Sequence, residues 1–206
     1  MRLTTKTPSL PRRAVLAGAG GLMLSTALPN FAFGLSQDTA IRFIQEVVAD
    51  VHIIINAGNP EDQMLADFDV FFRKYGEVAL IAKTALGAPG RRASKSQISA
   101  YINAYQGYIS RKYGRQFRRF AGADIIVISS RDAGTKGVIV RSLVDRPVKS
   151  DFDLEWWVIE VNGHPKMFDL IIEGISLISS ERTEIGALLE SVGGDINKLT
   201  ARLNAT

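Results

Sequence analysis

The 206-residue sequence contains no cysteine and only two histidines, His52 and His164. Without cysteine there are no thiol nucleophiles, thiolate metal sites or disulfides, so the folded state must rest on its apolar core. The two histidines lie far apart, one in an apolar helical stretch and one in the turn "VNGHP", which argues against a zinc site or a Ser-His-Asp triad. Acids are missing from the first 34 residues, which hold Arg2, Lys6, Arg12 and Arg13. Those four bases account for the whole formal charge of +4, because the remainder balances 21 bases against 21 acids. The pI near 9.4 therefore reflects a basic leader and not a nucleic-acid surface, and no nucleic acid is expected as a partner. No repeat, low-complexity tract or linker interrupts residues 35–206, which predicts a single domain.

The leader "PRRAVLAGAGGLMLSTALPNFAFG" (11–34) has a basic start, an apolar segment from Ala14 to about Leu28, and small residues near its end, the pattern of a signal peptide. Its apolar run falls short of the ~20 residues of a spanning helix and is broken by Pro29 and Asn30. Arg12-Arg13 ahead of a mildly apolar Ala/Gly-rich segment resembles a twin-arginine export signal. Cleavage after Ala32 or Gly34 fits the small-residue requirement, giving an exported mature chain from about Leu35.

Beyond the leader, Ile41, Ile44, Val48, Val51 and Ile55 recur at three- and four-residue steps, predicting a helix. Asn59-Pro60 predicts a cap and first-turn proline for a second helix in which Met64, Phe68 and Phe71 or Phe72 recur on one side. "EVALIAKTALG" reads as a third helix, closed by Gly87. Ser94 with Gln97 forms a capping box for a long fourth helix, which holds four of the five tyrosines. That helix reads either as an amphipathic wall with hydroxyls reaching polar groups, or as a helix packed on a sheet. Four β-branched or aromatic segments, "ADIIVISSR", "KGVIVRSLVD", "FDLEWWVIE" and "PKMFDLIIEG", are joined by links too short for parallel crossovers. Two helices follow, so the fold class is α+β: N-terminal helices, a four-stranded antiparallel sheet, then C-terminal helices.

Residues 168–203, "FDLIIEGISLISSERTEIGALLESVGGDINKLTARL", closely resemble the C-terminal signature of the MlaC family of periplasmic phospholipid carriers. The matching residues are Phe168-Asp169, the core from Glu173 to Leu177, then Glu184, Gly186, Leu188-Leu189 and the glycine-rich step before the tail helix. Upstream, "ALG" at 85–87, Gln97, Tyr105 and Tyr113 fit the same order of parts, whereas "APGRRAS" replaces an aromatic and basic segment usual in the family. The resemblance implies a curved sheet and helices around an apolar lipid cavity, no catalysis and no cofactor. It also implies phospholipid as cargo, passed between an outer-membrane lipoprotein complex and an inner-membrane ABC transporter bearing an MCE-domain protein. Other hydrophobic cargo, such as hopanoids, stays open.

Alternation and helical spacing nominate a lining drawn from both layers: Ile126, Ile128, Val138, Val140, Leu154, Trp156, Leu170 and Ile172 on strands, and Phe68, Phe72, Leu80, Tyr105 and Ile109 on helices. The bases Arg91, Arg92, Lys95, Arg115, Arg118 and Arg119 are candidates for contacting phosphate headgroups or an acidic partner. Two other readings remain: a structural adaptor with a filled core, and an enzyme on a cone-shaped α+β scaffold with Asp169 or Glu173 as general base. Asp169 and Glu173, four apart on one strand, are expected to share the face opposite Leu170 and Ile172, with Gly174 at the bend into the last helices. Replacing Arg12 and Arg13 with lysine is expected to hold the full-length chain in the cytoplasm. Cell fractionation checks this, and unaffected export would remove the twin-arginine assignment.

Overall fold

Ser36 starts the first helix: its hydroxyl accepts from Thr39 N at 3.1 Å. Helix α1 (Gln37–Asn56) then buries Ala40, Ile44, Val47, Val51 and Ile55 along one stripe. A computed structural model describes residues 34–146 and 150–206; the expected signal peptide and the centre of "RPVKS" lie outside the described residues. Helix α2 (Glu61–Tyr75) starts differently from the expectation, since Pro60 is itself the cap, in extended backbone. Asn59 instead donates through its side chain to Asp67 Oδ2 at 3.3 Å. Helix α3 (Val78–Leu86) stops at Gly87, whose φ of 66° is the left-handed geometry that glycine tolerates. "APGRR" forms a 3-10 turn, and α4 (Lys95–Phe117) follows with the expected capping box fully formed. Gln97 N donates to Ser94 Oγ at 3.2 Å and Ser94 N to Gln97 Oε1 at 3.0 Å.

The sheet is an antiparallel meander of β1 (Asp124–Asp132), β2 (Val138–Asp145), β3 (Phe152–Val161), β4 (His164–Ile172) and β5 (Ile175–Ser176). Five strands, not four, result because Glu173-Gly174, with φ of 49° and 80°, makes a two-residue hairpin that returns the chain as a short fifth strand. Asn162-Gly163 joins β3 to β4 in the same way. Glu173 is thus an exposed turn residue and does not share a strand face with Asp169.

Register decides which side chains face the helices. Val138, Val140, Ser142 and Val144 of β2 are buried, as are Phe152, Leu154, Trp156 and Val158 of β3. In β1, Ile125 pairs with Val144 and Val127 with Ser142, so those two turn inward. The register shift between Val127 and Ser129 leaves Ile128 in a bulge. Ile126 and Ile128 are accordingly 48% and 50% exposed, on the side away from the core, which corrects the inward placement expected for them. A second irregularity opposite Trp157 and Val158 puts Met167 and Leu170 on the inner face of β4.

Helix α5 (Leu177–Ser191) is capped by Ser176 and α6 (Ile196–Ala205) by Asp195. The buried apolar residues form two clusters. One joins α1 and α2 to the sheet, and the other joins α3, α4, α5 and α6. Helix α4 packs chiefly on α2, α3 and α6, not on the sheet. Its approach to α2 is close: a Cβ on Gly114 would lie 2.8 Å from Leu65 Cδ2. Gln106 Nε2 reaches across to Asp69 O at 3.1 Å. Just before β2, Gly137 (φ 102°) lies so near β3 that a Cβ would meet Val158 O at 2.1 Å. Gly137→Ala is therefore expected to cost at least about 2 kcal/mol in urea denaturation. Gly122→Ala, with a similar positive φ but open space around it, isolates the backbone strain and should cost clearly less.

Candidate functional site

Where the two apolar clusters meet, packing is incomplete. Val51, Phe71 and Trp156 from the first and Tyr105, Ile109 and Tyr113 from the second face a cavity of about 80 Å³, completed by Phe72, Phe117, Met167, Leu170 and others. Phe72 and Phe117 pack against both clusters. A second hollow of about 20 Å³, between Phe117, Phe120 and the sheet, shares Val51, Phe117, Trp156 and Leu170 with the first.

Of the residues nominated from sequence, Phe72, Tyr105, Ile109, Trp156 and Leu170 line the main cavity, and Leu154 and Ile172 line the smaller hollow. Phe68 sits behind the wall, fully buried and stacked on Phe117 at 5.5 Å between ring centres. Val138 and Val140 are fully buried in the cluster that joins α1 to the sheet. Leu80 is 41% exposed, and its neighbour Ile81 takes the cavity position. Ile126 and Ile128 lie on the other side of the sheet. Sequence reasoning missed Val51, Phe71, Ile81, Phe117, Met167 and Glu181 as lining residues. Val51 and Phe71 were already marked by helical periodicity, but nothing local marked Glu181.

Glu181 is the unusual member, a carboxylate 2% exposed at an apolar cavity. Its Oε1 accepts from Lys112 Nζ and from Tyr113 Oη, each at 2.6 Å. Lys112 also donates to Glu184, which accepts from Tyr108 Oη at 2.5 Å. Three of the α4 tyrosine hydroxyls are thus used: Tyr108, Tyr113, and Tyr101, which donates to Ala82 O at 3.2 Å. Burial, reinforced by the neighbouring carboxylates, pushes the phenol pKa values of Tyr113 and Tyr108 far up, so both remain donors. Burial pulls the Lys112 pKa down, but its bonds to Glu181 and Glu184 outweigh this and hold the ammonium above its usual range.

Asp169 is no free base. Its carboxylate accepts from Leu170 N at 2.9 Å, Ile178 N at 3.0 Å and Ser176 Oγ, tying β4 to the start of α5. Among the described residues neither Asp169 nor Glu173 forms an ion pair with Arg182 or Lys166. Lys166 donates instead to Lys74 O.

The basic residues do not form one patch. Lys95 begins α4, with Arg91 and Arg92 in the turn before it, whereas Arg115 ends the helix. Twenty residues of helix separate the two groups by about 30 Å. Arg115 Nε bonds Glu61 Oε1 at 2.9 Å and Arg118 approaches Glu61 Oε2 at 3.9 Å. Arg119 follows in the 3-10 turn Arg118–Phe120.

A sequence profile of the family described as "MlaC protein" matches residues 45–205, nearly all of the described domain. This chain belongs to the MlaC family. A solved structure similar to this MlaC-family domain is the phospholipid-binding protein from Ralstonia solanacearum in complex with a phospholipid. The two share a TM-score of 0.63 and 17% identity over 82% of this chain and 98% of that one. At that identity the likeness is one of fold. Among the described residues no helix is long and apolar enough to cross a membrane.

Within the MlaC-family chain, the Lys112 network predicts an acid-sensitive stability. Burial tends to raise the Glu184 pKa, but the bonds from Lys112 and Tyr108 hold it below the usual range. A depressed folded pKa means that the stabilisation is complete above the unfolded value of ~4.3 and is lost as pH falls through the folded one. Glu184 is half exposed, so solvent limits the effect to about 1 kcal/mol. Glu184→Gln should be less stable than the parent at pH 7, with the gap closing below about pH 4. Urea titrations across that range check it, and a gap independent of pH would contradict the assignment.

Proposed function

We propose that this MlaC-family chain is a periplasmic, non-catalytic carrier of lipid. It takes acyl chains into the seam between its two cores and passes cargo between an outer-membrane lipoprotein complex and an inner-membrane ABC transporter with its MCE-domain partner. The observation that carries the reading is the apolar cavity at that seam, in a fold that a phospholipid-bound protein shares. Burial of a methylene contributes about 0.8 kcal/mol, so two chains of some ~30 methylenes represent on the order of 20 kcal/mol that water cannot supply. Direct handover between protein sites avoids that barrier.

The cavity volume sets a condition. Small-molecule sites run to ~300–1,000 Å³, and about 80 Å³ does not hold two acyl chains. The closed seam must widen around its cargo, by parting the sheet cluster from the helical cluster. Leu170, Trp156, Ile109, Tyr105 and Phe72 would contact the chains first, with Leu154 and Ile172 deeper. Val138, Val140 and Phe68 would support that lining from behind. Arg91, Arg92 and Lys95 at one end of α4, and Arg115, Arg118 and Arg119 at the other, are separate candidates for partner or phosphate contact.

Protein purified from the periplasm without detergent should yield co-purifying lipid on organic extraction and mass spectrometry. Phospholipid supports the reading as stated, another hydrophobic cargo such as a hopanoid revises the cargo alone, and a lipid-free protein overturns it. Leu170→Trp, which fills the seam, should reduce the bound lipid several-fold while overpacking costs about 1–3 kcal/mol of stability.

A further inference from the structure

Residues 78–123 contain nine bases and no acid. Late in α4, Lys112 and Arg115 are each matched with a glutamate from another helix. The bases around its start have no such match. Lys83 of α3, Arg91 of the 3-10 turn and Arg182 of α5 line one cleft of about 410 Å³, with Thr84, Gly87 and Ile98 among their neighbours and no acidic residue. Among the described residues, none of the three cations enters an ion pair or a side-chain hydrogen bond. Arg182 reaches the end of α3: its Nη2 lies 3.6 Å from the place a Cβ on Gly87 would take, so the guanidinium rests on bare backbone. Arg92, next to Arg91 in sequence, lines a different hollow that includes Asp195.

Stability does not explain this placement. The positive end of a helix dipole favours acids, yet the 23-residue α4 has none in its first turn and begins with Lys95, just after Arg91 and Arg92. Like charges around one concavity also repel, and a concave site lined by one sign of charge concentrates counter-ions. Arginine's planar fork matches two oxygens of a phosphate at once, and lysine adds a compact point charge. The volume is that of a small-molecule site, and Ile98 offers an apolar neighbour to the carbon part of an ester. We infer that the cleft binds a phosphate group, free or esterified as in a lipid headgroup, through Arg91, Arg182 and Lys83. The site is separate from the seam, to which α3 and α5 contribute Ile81, Leu177, Ile178 and Glu181, and it does not depend on the carrier reading.

Nuclear magnetic resonance of the purified, isotope-labelled protein tests this. Inorganic phosphate added at constant ionic strength should give saturable amide shifts at Gly87, Gly90 and Arg91. Glycerophosphoglycerol, a lipid headgroup without its chains, should do the same, and the tighter of the two probes names the source of the phosphate. Arg91→Gln and Arg182→Gln should each weaken binding roughly ten-fold, the scale of one hydrogen bond between charged groups. Arg91→Gln should also keep or raise the Tm, because it removes a cation from the positive end of α4. Shifts that grow linearly without saturating overturn the proposal, and so does phosphate affinity that survives the two substitutions together. Saturation by a hexaglutamate peptide but by neither phosphate probe overturns it as well, and assigns the cleft to an acidic protein partner. Lipid-bearing protein without saturable phosphate shifts rejects this inference alone, whereas saturable shifts in a protein that never carries lipid reject the carrier reading and leave the cleft in place.

Discussion

The structure depends on the incomplete joining of two apolar cores. A chain of about this length can bury one continuous core, yet here the sheet with α1 and α2 forms one cluster and α3 to α6 form another. Large rings run along the junction: Phe68 stacks on Phe117, Phe117 lies 6.4 Å from Phe120, and Phe120 lies 5.6 Å from Phe152. Flat, stiff rings cover much area but fill a curved gap poorly, so hollows remain between them. The cavity thus follows from which side chains meet at the junction.

Much of the secondary structure was legible because local rules act within a few residues. The capping box at Ser94 and Gln97, the stripe of α1 and the Asn162-Gly163 hairpin each depend on neighbours in sequence. The candidate lining was legible only in part. Parity in β3 was right because Leu154 and Trp156 alternate without interruption, whereas in β1 a bulge at Ile128 reverses the choice, and the partner strand's buried Val144 and Ser142 fix it. In α3, both Leu80 and Ile81 are apolar, so the helical period alone does not say which of them meets β4. Glu181 was invisible for a deeper reason: its partners Lys112 and Tyr113 come from a helix some seventy residues earlier, and nothing local distinguishes it from the exposed Glu190.

The acid in "LIIEGISLI" shows how the two levels combine. As a strand residue Glu173 would need a partner or a buried face. As the first residue of a tight two-residue turn, in left-handed backbone, it needs neither and projects into water. The nearby Asp169 does the structural work, since its carboxylate gathers donors from β4, β5 and α5 and fixes the direction in which the last helices leave the sheet.

That fixation also determines how the seam resists widening. Near Met167 the sheet is pinned to the helices by backbone: Glu77 N donates to Met167 O at 2.9 Å, Gly76 and Met167 form a parallel bridge, and Asp169 holds Ile178. Separating those groups would expose several hydrogen bonds at once. On the helical side, Lys112, Glu181, Glu184 and Tyr113 tie α4 to α5 through side-chain hydrogen bonds. Around Val51, Phe117 and Trp156 apolar side chains line the gap, and their contacts are replaced at little net cost when hydrocarbon takes the place of a neighbouring ring. On the proposed carrier reading, resistance to widening is lowest where side chains alone close the seam, and an acyl chain entering there would exchange one apolar surface for another while the hydrogen-bonded end keeps the domain intact.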